Sequence, residues 1–303
     1  MNKTGKTGAA APAALRETLH IGIIQTTVDE KLAWSASSMP PFRMSRLESA
    51  RAWDEILTAF HSFATVHPRP DIVLLPELGI PPGRIPGLRR LSASLGCLVI
   101  AGIDYSVDLK ASEIRNQSIL IVPSGWASGK PGRMTSSFSF GKTHPAPKEE
   151  FHFSQRGLRF VPDRTVWLFD SAAFGRFGVA ICYDFLDAER LILYRGSVHH
   201  LMVIAHNKDI KLFYHQAESI SRTVFCNTII CNTGHYGGSV AVSPVYNPDE
   251  RTIYRHEGGD LYTAQVVQVP VAALDRAQRA TPAADDRRFK NLPPGYHNRY
   301  IRP

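Results

Sequence analysis

The stretch FGVAICYDF, Phe177–Phe185, sets an apolar run directly against a polar turn. Phe177–Ile181 reads as a strand too continuously apolar to have one face in water. Polarity switches on after Cys182, at Tyr183-Asp184, ahead of a helix-like stretch at Asp187–Arg195. DIVLLPELG, Asp71–Gly79, repeats the pattern: a buried-strand run is stopped by Pro76, with Glu77 just beyond it. Outward from these two, strands are expected at Leu19–Thr26, Cys97–Ile103, Ser118–Pro123, Val166–Phe169, Leu201–Ala205, Thr228–Asn232, Ser239–Val242 and Tyr262–Val269. Helical spacing marks Ser45–Val66, Pro86–Leu95 and Tyr214–Cys226. Phe138–Phe153, polar and interrupted by proline, reads as a loop. Strands that alternate with helices and are apolar throughout point to α/β layers with a covered sheet.

Composition narrows the class. The chain has 303 residues, 44% hydrophobic and 20% charged, enough to bury a sizeable core. Its longest apolar runs fall far short of the roughly 20 residues of a membrane span. The net charge of +8 is concentrated at the ends: residues 1–18 carry +2 and 273–303 carry +4, leaving +2 between them. That argues against a nucleic-acid groove in the core and leaves the basic tail's partner open. Met1–Arg16 lacks the apolar region of a secretory signal. Cys97, Cys182, Cys226 and Cys231 have neither zinc-finger nor CxxC spacing, so no metal is expected, and a reducing, cytoplasmic setting follows. The expected organisation is a flexible arm at 1–18, one domain at 19–272, and a Pro/Arg-rich tail at 273–303.

Three segments carry reactive side chains, and each has a plainer reading when taken alone. Glu77 suits a solvated turn. Cys182 suits a buried core position, although a thiol where a strand meets a helix can have its pKa lowered. GKTHPAPKEE, Gly141–Glu150, with Lys142, His144, Lys148, Glu149 and Glu150, suits a solvated charge cluster.

Together, PEL, then K-x-H-x-x-P-x-x-E, then G-x-x-x-C-Y-D resemble, in order and spacing, the nitrilase superfamily of carbon–nitrogen hydrolases, in its amidase-like branch. The resemblance runs from about Leu19 to Val271. It takes in IGIIQ at Ile21–Gln25, NQSILIVPSGW at Asn116–Trp126, and the segment from His206 to Ser239. It implies a four-layer α-β-β-α sandwich and a homodimer or larger homo-oligomer. It makes Glu77 the general base, Lys142 the electrostatic stabiliser and Cys182 the nucleophile. Glu150 is the additional glutamate, with Glu149 competing in a shifted register. The backbone N–H of Tyr183 would bind the oxyanion, and His206 and Asn207 would line the substrate pocket.

No cofactor is required by this chemistry. A cysteine attacks an amide carbon once a base takes its proton, and the ammonium and N–H stabilise the oxyanion. The implied activity is hydrolysis of a small non-peptide amide or carbamoyl compound through a thioester. Acyl transfer to an amine, nitrile hydrolysis, and a binding or signalling module that keeps the site remain as alternatives. YDFLDAER after Cys182 and Pro81-Pro82-Gly83 after Glu77 depart from the family's usual loops, as does the insert-like Ser35–Met44.

Overall fold

Successive residues of one short strand face two different cores, which explains why the strand runs are apolar throughout. Ile72 and Leu74 point into one hydrophobic cluster, and Val73 and Leu75 into another. The computed structural model describes residues 14–35, 41–128, 132–280 and 288–299. Its first half runs β1 (Thr18–Gln25), α1 (Glu30–Ala33), α2 (Arg46–Thr65), β2 (Ile72–Leu74), α3 (Ile85–Leu95), β3 (Leu98–Gly102), β4 (Ser106–Asp108), β5 (Glu113–Arg115), β6 (Gln117–Pro123), β7 (Thr135–Gly141), α4 (Pro147–Gln155) and β8 (Arg159–Phe160). Its second half runs β9 (Leu168–Ser171), β10 (Gly175–Ile181), α5 (Ala188–Tyr194), β11 (His200–Ala205), α6 (Ile210–Ile220), β12 (Asn227–Asn232), β13 (Ser239–Val242), α7 (Pro248–Arg251), β14 (Thr252–His256), β15 (Thr263–Pro270) and α8 (Ala272–Arg279).

Two six-stranded sheets, β15-β1-β2-β3-β6-β7 and β14-β13-β12-β11-β10-β9, lie face to face. Each has three parallel strands at its centre, β1-β2-β3 in one and β10-β11-β12 in the other, and antiparallel strands outside them. Ile21, Ile23, Ile72, Leu74, Leu98 and Ile100 of the first sheet pack against Val179, Ile181, Met202, Ile204 and Ile229 of the second. The first sheet's other face takes α2 and α3. Ser45 caps α2 by accepting the Glu48 N–H at 3.3 Å. The stripe Ile56, Ala59, Phe60 and Phe63 then lies against Ile24, Val73 and Val99. On the second sheet, α6 supplies Phe213, Ala217 and Ile220, and Tyr194 of α5 joins the same core. The result is the expected four-layer α-β-β-α sandwich. Among the described residues, no helix is long and apolar enough to cross a membrane.

Three expectations give way. Phe138–Phe153 is not a loop: it holds the end of β7 and most of α4, because Pro147 occupies the first turn of a helix, where its missing N–H costs nothing. The boundary drawn at 272/273 falls inside α8, which buries Leu274, Ala273 and Ala277 beside Phe225 and Phe289. That small apolar stripe is hidden in a composition rich in Arg and Asp. At the other end, Leu15 is buried and the Arg16 N–H donates to Ala173 O at 2.8 Å, so packing begins before residue 18. Of the expected arm, residues 1–13 lie outside the described residues, as do 36–40 of the insert-like stretch and 281–287 and 300–303 of the tail.

Candidate active site

Four strands, three of them buried, end on one side of the sandwich, and each is followed by a polar residue. Glu77 comes after β2, Lys142 after β7, Cys182 after β10 and His206 after β11. Strand ends in α/β sheets are where sites collect, because loops there can vary on a rigid base. Glu77 and Lys142 are all but fully buried, at 2% and 1% exposed, and meet at 2.8 Å between Oε1 and Nζ. Asn116 Nδ2 donates to the same Glu77 oxygen at 2.8 Å, and the His206 backbone N–H donates to Oε2 at 3.0 Å. A side chain at Gly102 would put its Cβ within 2.4 Å of Glu77 Cα, so the end of β3 can pass the Glu77 turn only as glycine.

Lys142 also donates to Glu149 Oε2 at 2.5 Å. Glu149, not the expected Glu150, is therefore the second glutamate of the cluster. The register of α4 decides this. Glu149 sits in the first turn and its carboxylate accepts the Ala146 N–H at 2.8 Å, while Glu150, about 100° further round the helix, is exposed. Tyr105 holds the other Glu149 oxygen, its hydroxyl donating at 2.7 Å. The competing Lys148 is outside the cluster, paired with Glu30 at 3.0 Å.

Cys182 is buried at the start of a 3₁₀ turn, Cys182–Leu186, in a left-handed conformation with φ +47°. A bulky residue held in that region is strained, and such strain gathers at functional turns. The Glu77 and Lys142 charges both act on the thiol, in opposite directions. The N–H groups of a helix's first turn have no acceptor inside it, and Tyr183 is the second residue of this turn. Asp184 joins the turn to the Lys142 loop by accepting the His144 N–H at 2.8 Å and the Thr143 N–H at 3.0 Å. It is an anchor, as expected.

Burial dominates the electrostatics. It pushes the Glu77 carboxyl up against the opposing pull of Lys142. It pushes the Cys182 thiol up too, and the negative charge of Glu77 adds to the effect, so the resting sulfur keeps its proton. Burial would lower the Lys142 ammonium, but Glu77 and Glu149 hold it well above its ordinary value. Glu149, pushed up by burial, is pulled below the usual carboxylate range by Lys142 and the Ala146 N–H.

No family model matches the sequence, and no curated protein matches it. Solved structures do. The Saccharomyces cerevisiae protein Nit3, of branch 10 of the nitrilase superfamily, superposes with a TM-score of 0.60 over 91% of this chain and 98% of its own, at 19% identity. This chain has the nitrilase-superfamily fold. A CN-hydrolase superfamily protein of Xanthomonas campestris, with an arsenic adduct in its active site, superposes at 0.58 over 88% of this chain and 96% of its own, at 16% identity. A variant of a Nesterenkonia amidase, whose active-site cysteine carries the acetamide moiety of fluoroacetamide, does so at 0.56 over 87% and 95%, at 14%.

On this nitrilase-type scaffold, two tentative pocket residues part company. Asn207 spends its side chain on the turn into α6, its Oδ1 accepting the Asp209 N–H and its Nδ2 donating to Asp209 O, both at 3.1 Å. It is therefore a turn residue. His206 keeps a buried ring beside the cluster. Asn116 and Tyr105 were missed. Asn116 opens the NQSILIVPSGW run, and a buried amide directly before a buried strand is the signal that could have found it.

Proposed function

We propose that this chain hydrolyses a small non-peptide amide through a thioester on Cys182. The observation that carries this reading is the convergence of Glu77, Lys142 and Cys182 in one buried cluster. As sulfur attacks the carbonyl carbon, its proton passes to Glu77 and an S–C bond forms. The oxyanion is held by the Lys142 ammonium and the Tyr183 N–H. Glu77 returns the proton to the nitrogen, the C–N bond breaks, and ammonia or an amine leaves. Water then gives a proton to Glu77 and attacks the thioester carbon. The C–S bond breaks, sulfur takes the proton back, and a carboxylic acid departs.

The raised Glu77 carboxyl supports its double role, since a base that must return a proton works best when its pKa lies nearer the working pH. Glu149 and Asn116 fix Lys142 and Glu77, leaving the ammonium one direction in which to point. The nitrilase-type fold, shared with an amidase whose active-site cysteine takes up the acetamide moiety of fluoroacetamide, favours amide hydrolysis within this chemistry. The same reading carries a homo-oligomer, in keeping with the exposed Ile192 and Leu193 on α5 just after the nucleophile turn. The test is ammonia release from a series of short aliphatic amides by wild type, Cys182→Ala and Glu77→Gln. Release by wild type alone supports the reading, and equal release by Cys182→Ala overturns it.

A further inference from the structure

We propose that the His206 ring reads an uncharged hydrogen-bonding group on the acyl part of the substrate, so that the site takes neutral polar amides in preference to amides bearing a carboxylate. This rests on the amidase reading above.

The backbone places the ring. Ile181 and Ile204 are paired in the parallel β10–β11 ladder, so Cys182 and His206 emerge almost side by side. The His206 N–H is spent on Glu77, so its side chain starts within the first layer of atoms around the site. The ring stands edge-on between Trp34, at 5.6 Å between centroids, and Tyr236, at 5.4 Å. The Trp34 indole is itself fixed by its N–H to Asp104 Oδ1 at 2.7 Å. Within this rigid aromatic slot, both ring nitrogens are buried and have no hydrogen-bond partner among the described residues. Among the described histidines, His256 leaves one buried ring nitrogen without a partner, and only His206 leaves two. His199 and His200 each have both nitrogens bonded, to Arg176 N and Asp275, and to Phe174 O and Asn227. A buried orphan costs folding free energy, and a pair of them on one ring beside a candidate nucleophile points to a ligand that completes them.

The charge of the ligand follows from the neighbours. The charged groups acting on the ring are Glu30 from α1, Glu149 from α4, Lys142, and His235 from the loop after β12. Lys142 is held between Glu77 and Glu149, Lys148 is paired with Glu30, and His235 with Asp260 at 2.6 Å. A substrate carboxylate placed here would meet carboxylates and cations already engaged. Burial keeps the imidazole neutral, with its pKa lowered to about 4. A neutral imidazole offers one N–H donor and one lone pair. Hydroxyl, carboxamide and ureido groups match that pattern, and a carboxylate, which only accepts, does not.

The test uses matched amides that differ in one group: propionamide, butanamide and pentanamide; malonamide, succinamide and glutaramide; and the half-acids of those diamides. Ammonia release is measured for wild type, for His206→Phe, which keeps the ring and loses both nitrogens, and for His206→Gln, which restores a donor and an acceptor. Iodoacetamide labelling of Cys182, read by intact mass, reports whether the nucleophile is present and reactive. For the best diamide, kcat/KM in wild type is expected to exceed that of its half-acid and of the plain amide at least tenfold. His206→Phe should lower the diamide at least tenfold more than the plain amide, with partial recovery in His206→Gln and no fall in melting temperature for His206→Phe. A half-acid preferred by wild type, or a proportional loss on all three classes in His206→Phe, overturns the inference while leaving the amidase reading standing. Failure of wild type both to take the label at Cys182 and to release ammonia from any member overturns the amidase reading, and this inference with it.

Discussion

One strand carries a buried histidine at its start and, just past its end, a half-buried one whose two ring nitrogens are buried. At the head of β11, His200 donates through Nε2 to Phe174 O at 3.0 Å, and its Nδ1 meets the Asn227 amide at 3.1 Å. Six residues on, the two ring nitrogens of His206 meet nothing among the described residues. Both rings are held neutral by burial, at about 3 and about 4. What separates them is hydrogen-bond satisfaction, and the difference follows the architecture. The end of the sandwich at His200 is closed by α8, and the His200 ring has both nitrogens bonded within the fold. The other end gathers Glu77, Lys142, Glu149 and a strained Cys182, and leaves both ring nitrogens of His206 without a partner among the described residues. A buried group whose partners are all supplied by the fold is stabilising structure, while one without them is a place where stability has been given up for function.

The comparison breaks most visibly at the sulfur. Cys182→Ala should end ammonia release with only a small shift of the thermal unfolding midpoint, because alanine keeps the Cβ, so the cost of φ +47° is unchanged, and a single buried sulfur atom is lost. Glu77→Gln should lower kcat by about 10²–10⁴-fold, the usual worth of a positioned general base. At the next level, Glu149→Gln removes one charge-assisted bond to Lys142. Such bonds contribute about 1.5–3 kcal/mol, so kcat/KM should fall roughly ten- to a hundredfold. Glu150→Gln, on the exposed side of the same helix, should change nothing in the same assay.

These pairs also show what a sequence can carry. Glu77, Lys142 and Cys182 are legible because each lies beyond an apolar strand or within a distinctive loop motif, and strand ends converge whatever their order in the chain. The choice between Glu149 and Glu150 is not legible, because it depends on where α4 begins, and Pro147 reads equally well as a loop breaker or a first-turn residue. Asn116 and Tyr105 act on the cluster through contacts between residues far apart in sequence, which no local pattern records. A covered α/β sheet was legible from continuous apolar strands, and the four layers only through the family resemblance, while the apolar stripe of α8 was hidden among its charges.

A finer separation of the two ends is a stability measurement. His200→Phe leaves Phe174 O without its donor, so denaturant unfolding should show a loss of about 1–3 kcal/mol, with activity per folded molecule unchanged. His206→Phe, which orphans nothing new, should hold or raise the unfolding free energy. The smallest effect is in the pH dependence. Both histidines have folded-state values below their unfolded value of about 6.5, so the unfolded chain takes up more protons as pH falls from about 6.5 towards 4. Stability should therefore drop on acidification by up to about 1.4 kcal/mol per pH unit for each histidine. Asp104, pushed up to about 6 by burial, acts in the opposite direction between about pH 6 and 4. Removing the His206 imidazole should flatten the net slope, as read from urea midpoints across that range.

The most direct test of the central claim is the intact mass of the protein, quenched in acid during turnover of small amides, for wild type beside Cys182→Ala. A wild-type adduct equal to the amide's mass less ammonia, absent from Cys182→Ala, is the predicted result. Turnover with no adduct on wild type, or the same adduct on Cys182→Ala, would contradict a thioester at Cys182.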